Sequence, residues 1–216
     1  MAIDVPPDCS AYTARMADFP SEASQMPSFM ERIDARLVCE RLAAAQWSPI
    51  AIAAADGREV RRVAFQDARA RWVVPVMLER AANGEITVRL TTGSGSTLEG
   101  AVPEAAWAAL VKRDHATKPL AQTRRGAKAA PVSLRCPDLK LEAADGGAAW
   151  SRSAFGCDMK DGFAAYAYEI ANIAATYIPR CTAMKGGPNP FETDDPASRA
   201  FAPLALCAGA VATPTP

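Results

Sequence analysis

Met30, Ile33, Leu37 and Ala44 recur at helical spacing and form one stripe, which predicts a helix docked on a core from residue 28 onward. Ser28 and Glu31 supply a capping box, and Pro27 stops the helix from starting earlier. Cys39 lies roughly 150° from that stripe, on the side of Arg32 and Arg36. From residue 47 to residue 92 the period shortens to two. Residues 50–52 and 60–65 read as a hairpin about Asp56-Gly57. Residues 72–80 and 85–92 read as a second hairpin about Asn83-Gly84, a dipeptide suited to a type I′ turn. In it Ile86, Val88 and Leu90 alternate with Thr87, Arg89 and Thr91, the mark of a sheet with one wet face. Pro75 assigns its strand to an edge or a bulge.

Gly93-Ser94-Gly95-Ser96 reads as a flexible connection to a short helix over residues 103–113, which carries Trp107, Leu110 and Val111. Residues 114–131 lose all periodicity and read as an exposed loop. Residues 132–143 and 148–155 form a third strand pair about Asp145-Gly146-Gly147. A long helix follows over residues 161–178, with Phe163, Tyr166, Ile170, Ile173 and Tyr177 on its buried face and Pro179 as its stop. The tail after residue 181 holds six prolines and three glycines and is expected to be irregular.

The class is therefore α+β: a mainly antiparallel sheet built from hairpins, with about three helices packed on it. The expected organisation is an irregular lead (1–27), an α+β first half (28–113), a basic loop or linker (114–131), a strand pair with the long helix (132–181) and a Pro-rich tail (182–216), all in one compact domain.

Composition narrows the setting. Half of the 216 residues are hydrophobic, enough for a substantial core. No run approaches the roughly 18 apolar residues needed to span a bilayer. Six cysteines, Cys9, Cys39, Cys136, Cys157, Cys181 and Cys207, are widely spaced with no C-x-x-C pair. That pattern fits disulfides better than a zinc cage or a redox motif, and disulfides point to an oxidising compartment. The sequential pairing Cys9–Cys39, Cys136–Cys157 and Cys181–Cys207 is expected. Cys39 points off its core stripe toward a covering segment, Cys136 and Cys157 bracket one strand pair, and Cys181 and Cys207 tie the tail to the long helix. Each such bridge is worth roughly 3 kcal/mol in the chain-entropy model. The opening Met1-Ala2-Ile3-Asp4-Val5-Pro6-Pro7 has neither a basic nor an apolar leader region, so the chain reads as a mature form whose export signal has been removed. With Ala abundant and 18 Arg against 6 Lys, the sequence looks like a GC-rich bacterial product, periplasmic or secreted.

Charge is balanced overall, 24 basic against 24 acidic residues, but unevenly placed. Residues 112–135 carry Lys112, Arg113, Lys118, Arg124, Arg125, Lys128 and Arg135 against Asp114 alone, a net +6, whereas residues 1–34 carry −4. Arg124, Arg125 and Lys128 are the candidate binding residues, facing a protein or an anionic envelope component. The segment has no aromatic residue, which argues against stacking on nucleic acid. Motifs for chemistry are thin. Gly93-Ser94-Gly95-Ser96-Thr97 lacks the spacing of a dinucleotide loop, a P-loop or a nucleophile elbow. His115, the one histidine, adjoins Asp114, but adjacent residues rarely reach base–orienter geometry, and it reads as a solvated helix-end residue. Glu192, Asp194 and Asp195 read as a solvated acidic turn, since their spacing matches no EF-hand. No catalytic residue, metal ligand or cofactor is assigned. The function expected is an extracytoplasmic binding or accessory protein without catalysis; the alternative is a secreted or periplasmic hydrolase whose active site is not legible.

Overall fold

The computed structural model describes residues 39, 43, 45, 47, 49–66, 73–117, 137–155, 162–185 and 196–209. Its centre is one six-stranded antiparallel sheet in the order β4-β3-β2-β1-β5-β6. The strands are β1 (Glu59–Gln66), β2 (Val73–Arg80), β3 (Ile86–Thr91), β4 (Thr97–Ala101), β5 (Asp138–Asp145) and β6 (Ala148–Phe155). Five described helices accompany it: α1 (Ile50–Ala55), α2 (Glu104–Thr117), α3 (Gly162–Tyr177), α4 (Pro179–Thr182) and α5 (Pro196–Cys207). Cys39 and Ala43 are also helical, within the helix expected after residue 28. The α+β class and the antiparallel sheet are as the sequence implies.

Period two decides which side each strand residue takes. Val63 and Phe65 of β1, Val74, Val76 and Leu78 of β2, Ile86, Val88 and Leu90 of β3, and Leu139 and Leu141 of β5 all face the main core. Upon them lie α3, almost wholly buried, and the apolar faces of α2 and α5. On the opposite side Trp47 and α1 cover Val60, Ala64, Val73, Met77 and Ala144 in a smaller cluster. The sheet is thus thickly covered on one face and partly on the other.

Four expectations give way. Residues 50–52 form no strand. Pro49 opens the short helix α1, in which Ala53 and Ala54 are buried while Ile52 stays 41 % exposed. An Ala-rich run favours helix, and two isoleucines two apart were too short a pattern to override it. The hairpin partner of β1 is instead β2 on one side, with β5 on the other. Pro75 lies in an interior strand, yet the β2–β3 pairing begins only at Val76, so at Pro75 the strand is an edge on that side. The stretch 93–96 is no linker but a tight turn into β4, closed by Thr92 N–H to Ser96 O at 2.8 Å with Gly95 at φ +83°. The tail is not irregular throughout. Residues 196–207 form α5, whose Phe201, Leu204 and Ala205, with Ala208 just past its end, repeat the i, i+3, i+4, i+7 pattern that buries them. Pro196 suits the first helical turn, and Pro203 is carried inside because the packed face outweighs its lost bond. Boundaries also move: α2 runs on to Thr117, and β5 leaves out Pro137, begins at Asp138 and extends to Asp145.

The bond Cys181–Cys207 is present, with a Cα separation of 4.9 Å. Cys39 is disulfide-bonded as well; its expected partner Cys9, and both Cys136 and Cys157, lie outside the described residues.

Candidate functional site

The alternation that sends Val63 and Phe65 into the main core also sends Arg61 there, a cation where the pattern calls for an apolar residue. Its guanidinium is 1 % exposed. Helix α2 brings the answering charge. Trp107, Leu110, Val111 and Asp114 stand at helical spacing, so Asp114 ends an otherwise apolar stripe and is turned inward, also 1 % exposed. Arg61 Nε donates to Asp114 Oδ2 at 2.7 Å, and Nη2 lies 2.5 Å from the same oxygen. Nη1 donates to the carbonyls of Val60 and Ala144 at 2.9 and 2.6 Å. The other carboxylate oxygen, Oδ1, accepts the hydroxyl of Tyr166 from α3. The Trp107 ring centroid lies 5.4 Å from the guanidinium carbon, and Asp145 approaches from the end of β5 at 3.9 Å. One carboxylate therefore joins the sheet, α2 and α3.

The outer face of the sheet carries a second, shallower set. Arg62 bonds Glu142 at 2.7 Å and lies over Trp47 at 4.8 Å, and Lys140 reaches the same Glu142 at 3.2 Å. Across the other strands Arg58, Glu79, Arg89 and Glu99 follow one another with alternating sign, at 2.8, 3.5 and 2.8 Å. The second row is neutral and the first keeps one net positive charge, so this face offers a polyanion less field than the basic segment does.

No family model, curated protein or solved structure matches the chain. The side chains themselves must supply the reading.

The buried constellation is a lock and not a reaction centre. A general acid or base has to reach the group it serves, within hydrogen-bond distance or through one water. Arg61, Asp114 and Tyr166 are each about 1 % exposed and turn their polar atoms toward one another. Burial, followed by the charge of Asp114, pushes the Tyr166 phenol far above its ordinary range, so it stays a protonated donor. The linkage has a definite sign. A group whose folded-state pKa is raised contributes stability that is whole below the unfolded value, about pH 10 for a phenol, and is lost as pH climbs past it. Urea denaturation from pH 8 to pH 11 should therefore show stability falling steeply above about pH 10. Tyr166→Phe should be about 1–2 kcal/mol weaker at pH 8 and show a shallower alkaline fall. Equal slopes in the two proteins would refute this role for Tyr166.

Of the sites expected from sequence, Arg124, Arg125 and Lys128 lie outside the described residues, as do Glu192, Asp194 and Asp195. His115 is in α2, directly after Asp114. Lys112 and Arg113 are exposed on α2, Arg113 within 2.7 Å of Glu169. Among the described residues no group of three or more His, Cys, Asp or Glu is arranged to hold a metal ion, and no helix is long and apolar enough to cross a membrane. The sequence reading missed Arg61, Asp114 and Tyr166 as a set. The signal was there in part: a charge at core parity in a strand, and an acid at the end of a helical apolar stripe.

Proposed function

We propose that this is an extracytoplasmic binding or accessory protein that engages an anionic partner through the basic segment 112–135. One observation carries the reading. Asp114, the single acid in that segment, is withdrawn into the core and neutralised by Arg61, so it does not offset the cations around it. Lys112 remains exposed on the rigid root of the segment, with Arg113 beside it partly answered by Glu169. The remaining cations follow in sequence at Lys118, Arg124, Arg125, Lys128 and Arg135. The outer face of the sheet, whose two rows together sum to only one positive charge, is the weaker candidate. The Cys181–Cys207 bond and the bonded state of Cys39 fit an oxidising compartment.

The test uses heparin as a soluble polyanion and vesicles with an anionic headgroup as a surface. Replacing Arg124, Arg125 and Lys128 together by Ala should weaken binding to either probe by about tenfold or more, three charges at a few tenths of a kcal/mol to 1 kcal/mol each. The melting temperature should stay within about 2 °C, as for surface changes away from special features. Raising salt well above 0.1 M, where the screening length is about 10 Å, should mimic the substitution. Undiminished binding by the triple variant would overturn the proposal.

A further inference from the structure

Helix α5 is a closing element whose anchoring bond lies inside the core. Cys207 at its last position is joined to Cys181 in α4, and both cysteines are fully buried in the main core. Phe201 stacks on Phe65 of the central strand β1, ring centroids 4.7 Å apart, and Phe65 in turn meets Tyr168 of α3 at 5.6 Å. Just beyond the helix, the Ala208 carbonyl accepts the Gly93 N–H from the β3–β4 turn at 2.8 Å. The helix itself is weak by construction. Its 12 residues are marginal for an isolated helix, and Pro203 cannot donate to the carbonyl one turn back. The other end of the bridge is different. Cys181 follows directly on α3, which is embedded across the sheet by ten buried residues.

We propose that α5 is a redox-operated strap: closed while Cys181–Cys207 is intact, it lifts as a unit on reduction and uncovers an apolar trough floored by Phe65 and Tyr168. The reductant is a dithiol. One of its thiolates attacks a sulfur of the bridge, forming a mixed disulfide and releasing the other cysteine as a thiolate that takes up a proton. Its second thiol then displaces the remaining cysteine, leaving two protein thiols and an oxidised reductant. Because neither sulfur is exposed, the attack must wait for α5 to open transiently, so the strap guards its own latch. The sheet and α3 supply most of the main core and α5 adds Phe201, Leu204, Ala205 and Cys207 to it, so the strap requires the remainder to hold together when α5 lifts.

The experiment treats the full-length protein with dithiothreitol, traps thiols with iodoacetamide at intervals and follows hydrogen exchange by peptide. Cys181 and Cys207 should become labelled together, more slowly than an exposed model disulfide. Exchange in residues 196–207 should quicken by about a hundredfold, the worth of closing a loop with a separation of 26 residues. Peptides from β1, β2 and β3 should keep their protection. The variant Cys181→Ala with Cys207→Ala should reproduce this pattern without reductant and with every other cysteine untouched. Three outcomes would each overturn the strap: strands losing protection together with α5, α5 protection unchanged on reduction, or a double variant that fails to fold.

Discussion

Asp114→Ala is expected to cost about 4 kcal/mol of folding stability, because it leaves a buried guanidinium without its counter-charge. In that variant Arg61 keeps, among the described residues, the Val60 and Ala144 carbonyls, the Tyr166 hydroxyl, the face of Trp107 and a distant Asp145, of which Asp145 alone is a carboxylate. For a chain of this size the loss corresponds to a melting temperature lower by about 12 °C. The double variant Arg61→Met with Asp114→Leu removes both charges and fills the same space. It should recover most of the stability, since a well-packed apolar pair often matches a buried ion pair. Thermal and urea denaturation of the two singles and the double give the coupling between the residues directly. A single variant within 1 kcal/mol of the parent, or a double as weak as the single, would show that the pair does not bear the fold as described.

The same cluster shows where a sequence is legible. The β2–β3 hairpin could be read because alternation over six residues and the Asn-Gly dipeptide both mark it, but the turn is not the two-residue type I′ expected. Ala81 N–H bonds Glu85 O at 2.8 Å and Gly84 N–H bonds Ala81 O at 2.9 Å, a three-residue loop that shifts the register by one and pairs Val76–Arg80 with Ile86–Leu90 so that core faces core. Helix α3 could be read because its apolar stripe is long and Pro179 ends it. The Cys181–Cys207 bridge followed from a tail in need of an anchor. Helix α5 was hidden by the prolines of the tail, whose number suggested an irregular segment, although Phe201, Leu204, Ala205 and Ala208 already carried a helical period. Strand β4 was hidden because its five residues include two small ones, and its half-exposed edge carries almost no hydrophobic signal. The Arg61–Asp114–Tyr166 set joins residues 52 and 53 positions apart, on three elements. Local patterning can flag each residue as odd, but only tertiary packing makes their company visible. What the basic segment touches was legible only as charge, and the structure adds that its one acid faces inward.

Gly100→Ala is the second large effect, and it isolates sterics from backbone strain. Gly100 lies in β4 opposite Val88, on the side facing the helices. A Cβ there would stand 2.0 Å from the Tyr177 carbonyl oxygen, 2.6 Å from its carbon and 3.0 Å from the Ile178 nitrogen. All three are backbone atoms at the end of α3, and none can swing aside as a side chain would. Ile178 N–H is already committed to Ala174 O at 3.0 Å, and Pro179 immediately begins α4. Either β4 must peel from the sheet edge or the end of α3 must shift and carry Cys181 with it. Overpacking of this kind is expected to cost about 3 kcal/mol, or a melting temperature lower by about 9 °C. Gly95→Ala is the contrast. Its φ is +83° with open space around it, so the methyl group brings only backbone strain, about 1 kcal/mol. Denaturation curves for the two variants should separate by about 2 kcal/mol, with faster amide exchange confined to residues 97–101 and the end of α3 in Gly100→Ala. If the two substitutions cost the same, the close approach of β4 to α3 is not what requires glycine at position 100.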